Sequence, residues 1–282
     1  MRFYIIIPAH NEEASIQQTL QSLIEQTYLP EKILVVNDNS TDKTAEKVTE
    51  FSKKNSIVKL FNNNSTPTHL PGGKVVQAFL NGLEQLDNQY DVVCKFDADL
   101  IFPSNYLEKV ASHFSADKKT GMVGGFCYIK SGDHWKLENL TNKDHIRGAL
   151  KAYRKDCFQQ IGGLKASMGW DTADELLAKF YGWSVKTDEN LKVKHLRATG
   201  ETYNNSSKYK QGEAFYKLRY GFLITLIASL KLALLKKKPT LVKDYLTGYF
   251  KAKKNKLPFL VNEKEGKWIR KYRWKKIKSK LF

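Results

Sequence analysis

The sequence predicts an α/β fold: a mainly parallel sheet flanked by helices, followed by a basic helical extension. Three observations carry this expectation. Apolar runs rich in β-branched and aromatic residues recur at 3–7, 32–36, 57–61 and 92–102, the composition of strands covered on both faces. Stretches with apolar residues at helical spacing separate them, and that alternation implies parallel strands joined by right-handed crossovers. Charge then changes abruptly. Of 47 Lys+Arg and 29 Asp+Glu, the first 207 residues hold 25 of each and residues 208–282 hold 22 against 4, so the whole formal net charge of +18 lies in the C-terminal stretch. A chain of 282 residues has room for one large domain at 1–207 and an appendage at 208–282.

The elements follow in order. Residues 3–7 read as a first strand, ended by Pro8 and followed by Ala9-His10-Asn11-Glu12-Glu13, and then by a helix with Ile16, Leu20, Leu23 and Ile24 on one face. KILVV at 32–36 is a second strand that breaks into Asn37-Asp38-Asn39-Ser40-Thr41-Asp42. A helix begins near Lys43, capped by Ser40 or Thr41. Residues 57–61 are a third strand. The turn Pro71-Gly72-Gly73-Lys74 opens a helix at 75–86 and suits close approach to phosphate or ribose.

The central stretch is 92–102, VVCKFDADLIF, an apolar strand interrupted by Asp97 and Asp99. Two carboxylates two residues apart converge, around a bend, on an oxygen-seeking divalent cation such as Mg²⁺ or Mn²⁺, which in turn holds a diphosphate. Ligands of parallel α/β sheets bind beyond the carboxyl ends of the strands. Three such ends carry polar groups here: Pro8 to Glu12, Asp38, and Asp97 with Asp99. Each alone also reads as a solvated turn or cap. Their placement at one sheet edge is what chance does not supply.

Cys94, Cys127 and Cys157 are widely spaced with no Cys-x-x-Cys pair, so they read as reduced core thiols rather than a disulfide framework or zinc site. The five-residue apolar run at the N-terminus is too short for a signal peptide, so the chain is expected to begin in the cytosol.

The segments PAHNEE, VVNDNSTDKT, GGKVVQAFLNGL and FDADL, in that order, resemble the family 2 glycosyltransferases of the GT-A fold over roughly the first two hundred residues. The resemblance implies a mixed, mainly parallel sheet and an inverting transfer of sugar from a nucleotide donor, with UDP expected. It also implies roles for single residues. Pro8, Ala9 and Glu12 lie at the base and ribose, Asp38 at the uracil or ribose, Gly73 and Lys74 on the nucleotide side of the donor, and Asp97 at the nucleoside. Asp99 holds the metal, Mn²⁺ or Mg²⁺. The sequence departs from the common Val-Asp-Asp-Gly-Ser in having Asn39 for Gly; asparagine tolerates the left-handed region, so the turn is expected to survive.

In the second half, GMVGGFCYI at 121–129 is an apolar strand containing Gly124-Gly125, which permits a close backbone approach. Residues 146–158 read as a helix stopped by Gly162-Gly163, a site that also resembles the family's acceptor-side loop. Asp171, Asp174 and Glu175 fall at i, i+3 and i+4 and share a helix face, where mutual repulsion calls for a compensating cation. Acids at a helix start also serve its dipole. The functional reading is a general base. In the family a carboxylate lies eleven residues before the closing Gly-Trp, here Gly182-Trp183, which selects Asp171 with Asp174 as runner-up, although Trp170 stands where the family has Glu. His195, after a short strand at 191–194, is a candidate second metal ligand, and Arg197 a candidate partner of the diphosphate. The polar stretch 203–210 reads as a loop that orders over bound donor.

Residues 218–235 are mostly apolar, but the uninterrupted core 220–230 falls short of the about 20 residues a spanning helix needs. A helix in the membrane interface is expected. Lys236-Lys237-Lys238, KAKKNK at 251–256 and KWIRKYRWKKIKSK at 267–280 interleave cations with Trp268, Tyr272 and Trp274. Such clusters attract anionic lipid by about 1 kcal/mol per charge, and Trp and Tyr suit the headgroup layer. Basic residues mixed with aromatics also suit nucleic acid, but that reading leaves the apolar helix without a role, so no nucleic acid is expected.

The expected protein is a metal-dependent glycosyltransferase with a sugar or lipid-linked acceptor, peripheral on the inner face of the plasma membrane and serving cell-surface polysaccharide or glycolipid synthesis. Two alternatives stand beside it: a sugar-1-phosphate nucleotidyltransferase, which would carry a Gly- and Arg-containing loop after the first strand where 8–13 has neither, and a non-catalytic membrane or nucleic-acid adaptor.

Overall fold

The structure, a computed structural model, describes residues 1–65, 72–138, 143–197 and 208–279. Four parallel strands form one half of a single sheet: β1 (Phe3–Ala9), β2 (Lys32–Asp38), β3 (Val58–Asn63) and β4 (Val92–Phe96). β1 lies between β2 and β4, with Ala9 opposite Asn37 and Phe3 opposite Val92. Helices α1 (Ile16–Ile24), α2 (Thr44–Lys54) and α3 (Gly73–Glu84) connect them. β1 is buried along nearly its whole length, as a strand with helices on both faces must be.

The other half of the sheet is mixed. The stretch expected as one strand at 92–102 is broken: β4 stops at Phe96, the chain bends through Asp97-Ala98-Asp99, and Leu100–Ile101 forms a short separate strand, β5. After α4 (Tyr106–Ala116) come β6 (Thr120–Ser131) and β7 (His134–Leu137), a hairpin. The helix expected at 146–158 is interrupted: β8 (Leu150–Arg154) occupies its middle and precedes one short helix, α5 (Lys155–Gln160). Two antiparallel neighbours, β4 and β6, claim this segment's backbone groups, and pairing overrides its helical spacing. α6 (Trp170–Phe180) leads into β9 (Ser184–His195), longer than the expected 191–194, which pairs parallel to β6 and antiparallel to β5.

The turns hold the expected geometry. Asn39 has φ 56°, as its place in the left-handed turn requires, and Asn11, in the adjoining loop after β1, has φ 57°.

The C-terminal stretch forms α7 (Lys210–Lys217), α8 (Gly221–Leu235), α9 (Thr240–Lys254) and α10 (Glu263–Lys278). These helices rest on the sheet-bearing body. Phe215, Leu218, Tyr220 and Ile269 join its buried apolar cluster. Trp268 meets Phe180 edge-on, with ring centres 5.8 Å apart. α10 starts with a full capping box between Asn262 and Glu265, and the same Glu265 accepts a hydrogen bond from the Tyr181 hydroxyl at the end of α6.

α8 is apolar on its outer face as well as its inner one. Ile224, Thr225, Ser229 and Ala233 face the protein, with both hydroxyls donating to carbonyls one turn back. Leu223, Leu230, Leu234 and Leu235 are 46–78% exposed, and Phe222 packs beside the exposed Phe250 of α9. Among the described residues no helix is long and apolar enough to cross a membrane. An open groove of about 740 Å³ lies on α9, lined by Val242, Leu246, Phe250 and lysines 243, 251 and 254. It is separate from the strand ends where the chemistry-bearing residues collect.

Candidate active site

Register explains why distant residues meet. The carboxyl ends of β1, β2 and β4 adjoin, and antiparallel β8 begins opposite Phe96, so residues 145–149 come to the same edge. Asp97 donates its backbone N–H to the Ala149 carbonyl at 2.9 Å, tying the Asp-x-Asp bend to that segment.

On the side of β1 and β2, Asp38 ends β2 and is buried, its carboxylate accepting from Asn63 at 2.8 Å, while its carbonyl lies 2.7 Å from His10 Nδ1. Pro8 and Ala9 complete β1 against Val36 and Asn37. Glu12 donates its N–H to the Thr44 hydroxyl at 2.8 Å and pairs its carboxylate with Arg197. Burial raises the Glu12 pKa, and Arg197 opposes the shift. Gly72, at φ 72°, stands before α3, whose first two residues are Gly73 and the partly exposed Lys74. A Cβ on Gly72 would lie 3.2 Å from the Met168 Cα, so this turn abuts the approach to α6. Pro71 and residues 203–207 of the expected donor loop lie outside the described residues.

At the bend, Asp99 is buried, with its Oδ2 3.5 Å from His195 Nε2 and 3.4 Å from Arg197. Burial acts to raise its pKa, but His195 and Arg197 prevail and hold it below the ordinary value. The second ring nitrogen, His195 Nδ1, lies 3.1 Å from Glu138, which also pairs with Arg147. A carboxylate on one imidazole nitrogen orients the ring and leaves the other for a cation. Asp99 offers the carboxylate oxygen that suits Mn²⁺ or Mg²⁺, and the imidazole nitrogen of His195 is better tolerated by Mn²⁺ than by the oxygen-seeking Mg²⁺, so this pair fits the expected metal as Mn²⁺. Cys127, Glu138 and His195 also present ligand atoms within 4.8 Å of one another. Burial pushes the Cys127 thiol up to about 12, and a protonated thiol is a poor ligand for a hard cation.

On the acceptor side, the three acids of α6 separate. Asp174 is 2% exposed, and its carboxylate receives Lys151 Nζ at 2.8 and 3.0 Å and the Tyr153 hydroxyl at 2.5 Å. This places the runner-up base inside the protein, as a partner of Lys151. Glu175, also buried, accepts from the Ile146 N–H at 2.8 Å and lies 3.0 Å from His145 Nδ1. Asp171 alone keeps a side chain 35% exposed, with Oδ2 3.6 Å from His145 Nε2. Burial acts to raise the Asp171 pKa, and His145 and Lys151 overcome it to hold the group below the usual carboxylate value.

Between the two sides lies Trp170. Its ring has Lys95 Nζ at 5.5 Å and Lys151 Nζ at 5.6 Å, and Lys95 also pairs with Asp97. A Cβ at Gly148 would come within 2.7 Å of Trp170 Cζ2. Glycine there leaves room for the indole beside the segment that supports Asp97. Sequence reasoning passed over Lys95, Glu138, His145 and Lys151. Two of them carried a signal: a lysine inside an apolar strand, as in VVCKF and LKAYR, must find a carboxylate partner if it is buried.

Taken together, a mixed sheet of this order with polar groups gathered at its β1–β2–β4 edge defines a GT-A glycosyltransferase fold. Solved structures agree. The chain is similar to a mannosyltransferase from Pyrobaculum calidifontis in complex with GDP-Man and Mn²⁺ (TM-score 0.60, 18% identity, covering 89% of this chain and 74% of that one). It is likewise similar to Staphylococcus aureus TarS in complex with UDP-GlcNAc (TM-score 0.58, 17% identity, 89% and 73%). The family model "Glycosyl transferase family 2" matches residues 4–164. The chain belongs to glycosyl transferase family 2. Among curated proteins it is 30% identical to the probable glycosyltransferase YdaM of Bacillus subtilis, over 62% of this chain and 44% of that protein. It is 31% identical to the poly-β-1,6-N-acetyl-D-glucosamine synthase of Staphylococcus epidermidis, over 43% and 27%. The chain thus spans less than half the length of these two relatives.

Proposed function

We propose that this protein is an inverting glycosyltransferase that moves a sugar from a nucleotide-diphospho-sugar, UDP-linked in our reading, to an acceptor hydroxyl. The observation that carries it is the gathering of Glu12, Asp38, Asp97, Asp99 and Asp171 at one edge of the sheet. In this reading the loop after β1, with Pro8, Ala9 and Glu12, and Asp38 hold the nucleoside together with Asp97. Gly73 and Lys74 approach the donor from the start of α3. Arg197, freed from Glu12, meets the diphosphate. Asp99 and His195 hold Mn²⁺ or Mg²⁺, which when bound neutralises charge on the departing diphosphate. Asp171 accepts the acceptor's proton as the new glycosidic bond forms on the face opposite the leaving group. His145 and Lys151 hold its pKa below the ordinary carboxylate value, so it is anionic at neutral pH as a base must be. Asp174, committed to Lys151 and Tyr153, serves the fold.

The resemblance to a polysaccharide synthase supports a role in making cell-surface polysaccharide or glycolipid. We place residues 1–207 as the catalytic domain and 208–282 as a docking unit for the anionic cytoplasmic face of the plasma membrane, from which a lipid-linked acceptor is reached. The apolar outer face of α8 supports this: its exposed leucines suit the acyl boundary, and the adjoining Lys236-Lys237-Lys238 and the lysines of α9 suit anionic headgroups.

Release of nucleoside diphosphate from a panel of nucleotide sugars, with and without Mn²⁺, tests the transferase reading. Turnover of at least one donor that stops with EDTA and returns with Mn²⁺ is expected; failure with every donor refutes it. Sedimentation with anionic vesicles tests docking. The Leu223→Glu/Leu234→Glu double variant is expected to stay in the supernatant, and equal binding by it would refute the assigned face.

A further inference from the structure

His145 belongs to no motif of the family reading, yet it occupies a particular position. Its ring stands between two carboxylates of α6, with Nδ1 3.0 Å from Glu175 and Nε2 3.6 Å from Asp171. The Glu175 end of this bridge is fixed three more times: by the Ile146 N–H at 2.8 Å, by Lys151 at 3.4 Å and by Lys179 at 3.8 Å. The Asp171 end is the one that opens to solvent. The imidazole is therefore anchored at the back and presented at the front. It lies in a segment that also braces the metal side, because Arg147, two residues on, pairs with the Glu138 that orients His195.

We infer that His145 is the positioning residue for the general base, a fixed cation that holds the Asp171 carboxylate ionised and in place beside the acceptor. This rests on the reading of Asp171 as the base. The charged groups around the ring are Asp171 and Glu175 from α6, Lys151 from β8, and Glu138, Lys143 and Arg147 around the small hollow that His145 also lines. The carboxylates on its two nitrogens outweigh the burial and the nearby lysine, so the ring stays protonated, with its pKa pushed up to about 9. A cation in that place stabilises the anionic base by the ordinary attraction of opposite charges across a few ångströms. It does not accept the proton itself. The proton of the acceptor hydroxyl passes to an Asp171 oxygen and leaves to solvent with product release, and His145 keeps its charge throughout.

The test is the pH profile of kcat at saturating donor and Mn²⁺ for the wild type and for His145→Gln, which retains a donor but no charge, and His145→Lys, which restores the charge. The acid limb of His145→Gln is expected to move up by about 1–3 pH units, with kcat lowered and donor KM unchanged; His145→Lys is expected to return the limb toward its wild-type position. Thermal unfolding of each variant identifies loss of fold, and His145→Asn serves if Gln does not fold. A wild-type acid limb in folded His145→Gln overturns the inference. Asp171→Asn separates the two levels: an active Asp171→Asn refutes the base and this inference with it, whereas an inactive Asp171→Asn beside an unshifted His145→Gln refutes only the role of His145.

Discussion

Replacing Lys151 by methionine removes one positive charge from a place with no water to replace it. The Lys151 side chain is 0% exposed and its ammonium donates to both Asp174 oxygens at 2.8 and 3.0 Å and to the Asp171 carbonyl at 2.5 Å, with Glu175 at 3.4 Å. Methionine matches the aliphatic stem, so little packing is lost, but the buried Asp174 loses its countercharge and keeps only neutral donors, the Tyr153 hydroxyl and the Glu175 N–H, while Glu175 retains His145 and Lys179. Removing one partner from a buried pair costs about 3–5 kcal/mol. In a chain of this size each kcal/mol lowers Tm by about 2–4 °C, so Lys151→Met is expected to melt about 6–20 °C below the wild type. Urea denaturation with unchanged slope would assign the loss to stability rather than to altered compactness. The double variant Lys151→Met/Asp174→Asn, which also removes the stranded charge, is expected to recover part of the loss. A single variant within 1 kcal/mol of wild type, or a double variant whose cost is the plain sum of the two singles, would refute the claim that Lys151 is the countercharge of Asp174.

Further outcomes follow from the same geometry. Asp171→Asn is expected to lower kcat by about 10²–10⁴ with donor binding retained, measured by product formation alongside donor titration. Gly148→Ala forces a methyl group to within 2.7 Å of Trp170, and calorimetry should find a cost of about 1–3 kcal/mol together with reduced activity. Both His145 and His195 have pKa values raised from 6.5 to about 9 by carboxylate partners. Since the folded state binds these protons more tightly, their contribution is complete below pH 6.5 and fades as pH rises through about 9. Denaturation midpoints measured from pH 6 to 10 should fall across that window, and His145→Gln should flatten the fall.

What could be read from the letters was the half of the sheet in which each strand is followed by its own helix. Ile5 to Ile7, Leu34 to Val36 and the asparagines around Asp38 announce strand and turn through local chemistry alone. The second half resisted because its pairings are non-local. β8 reads as helix until β4 and β6 lie on either side of it, and β9 extends far beyond its apolar core because β6 continues to pair with it. The site divides in the same way. The acids at strand ends were visible by type and position. Their cations were not, because Lys95, His145, Lys151 and Arg147 are matched to Asp97, Asp171, Asp174 and Glu138 only by the fold. The three acids of α6 looked equivalent at helical spacing, and what distinguishes them is burial: Asp174 and Glu175 are held inside by Lys151, whereas the Asp171 side chain stays 35% exposed.

α6 carries Asp171 in its first turn and, just past its other end, the Tyr181 hydroxyl that grips the Glu265 cap of α10, with Phe180 and Trp268 in contact beside it. One rod is thereby clamped at the far end by the very segment that bears the excess positive charge. Severing the polypeptide ahead of residue 208 would unmoor that rod as well as strip away the lysines, so a shortened enzyme that loses turnover in detergent-free buffer says nothing by itself about lipid. Charge-reversing substitutions on the outer lysines, which leave the clamp intact, are the cleaner way to part anchorage from catalysis.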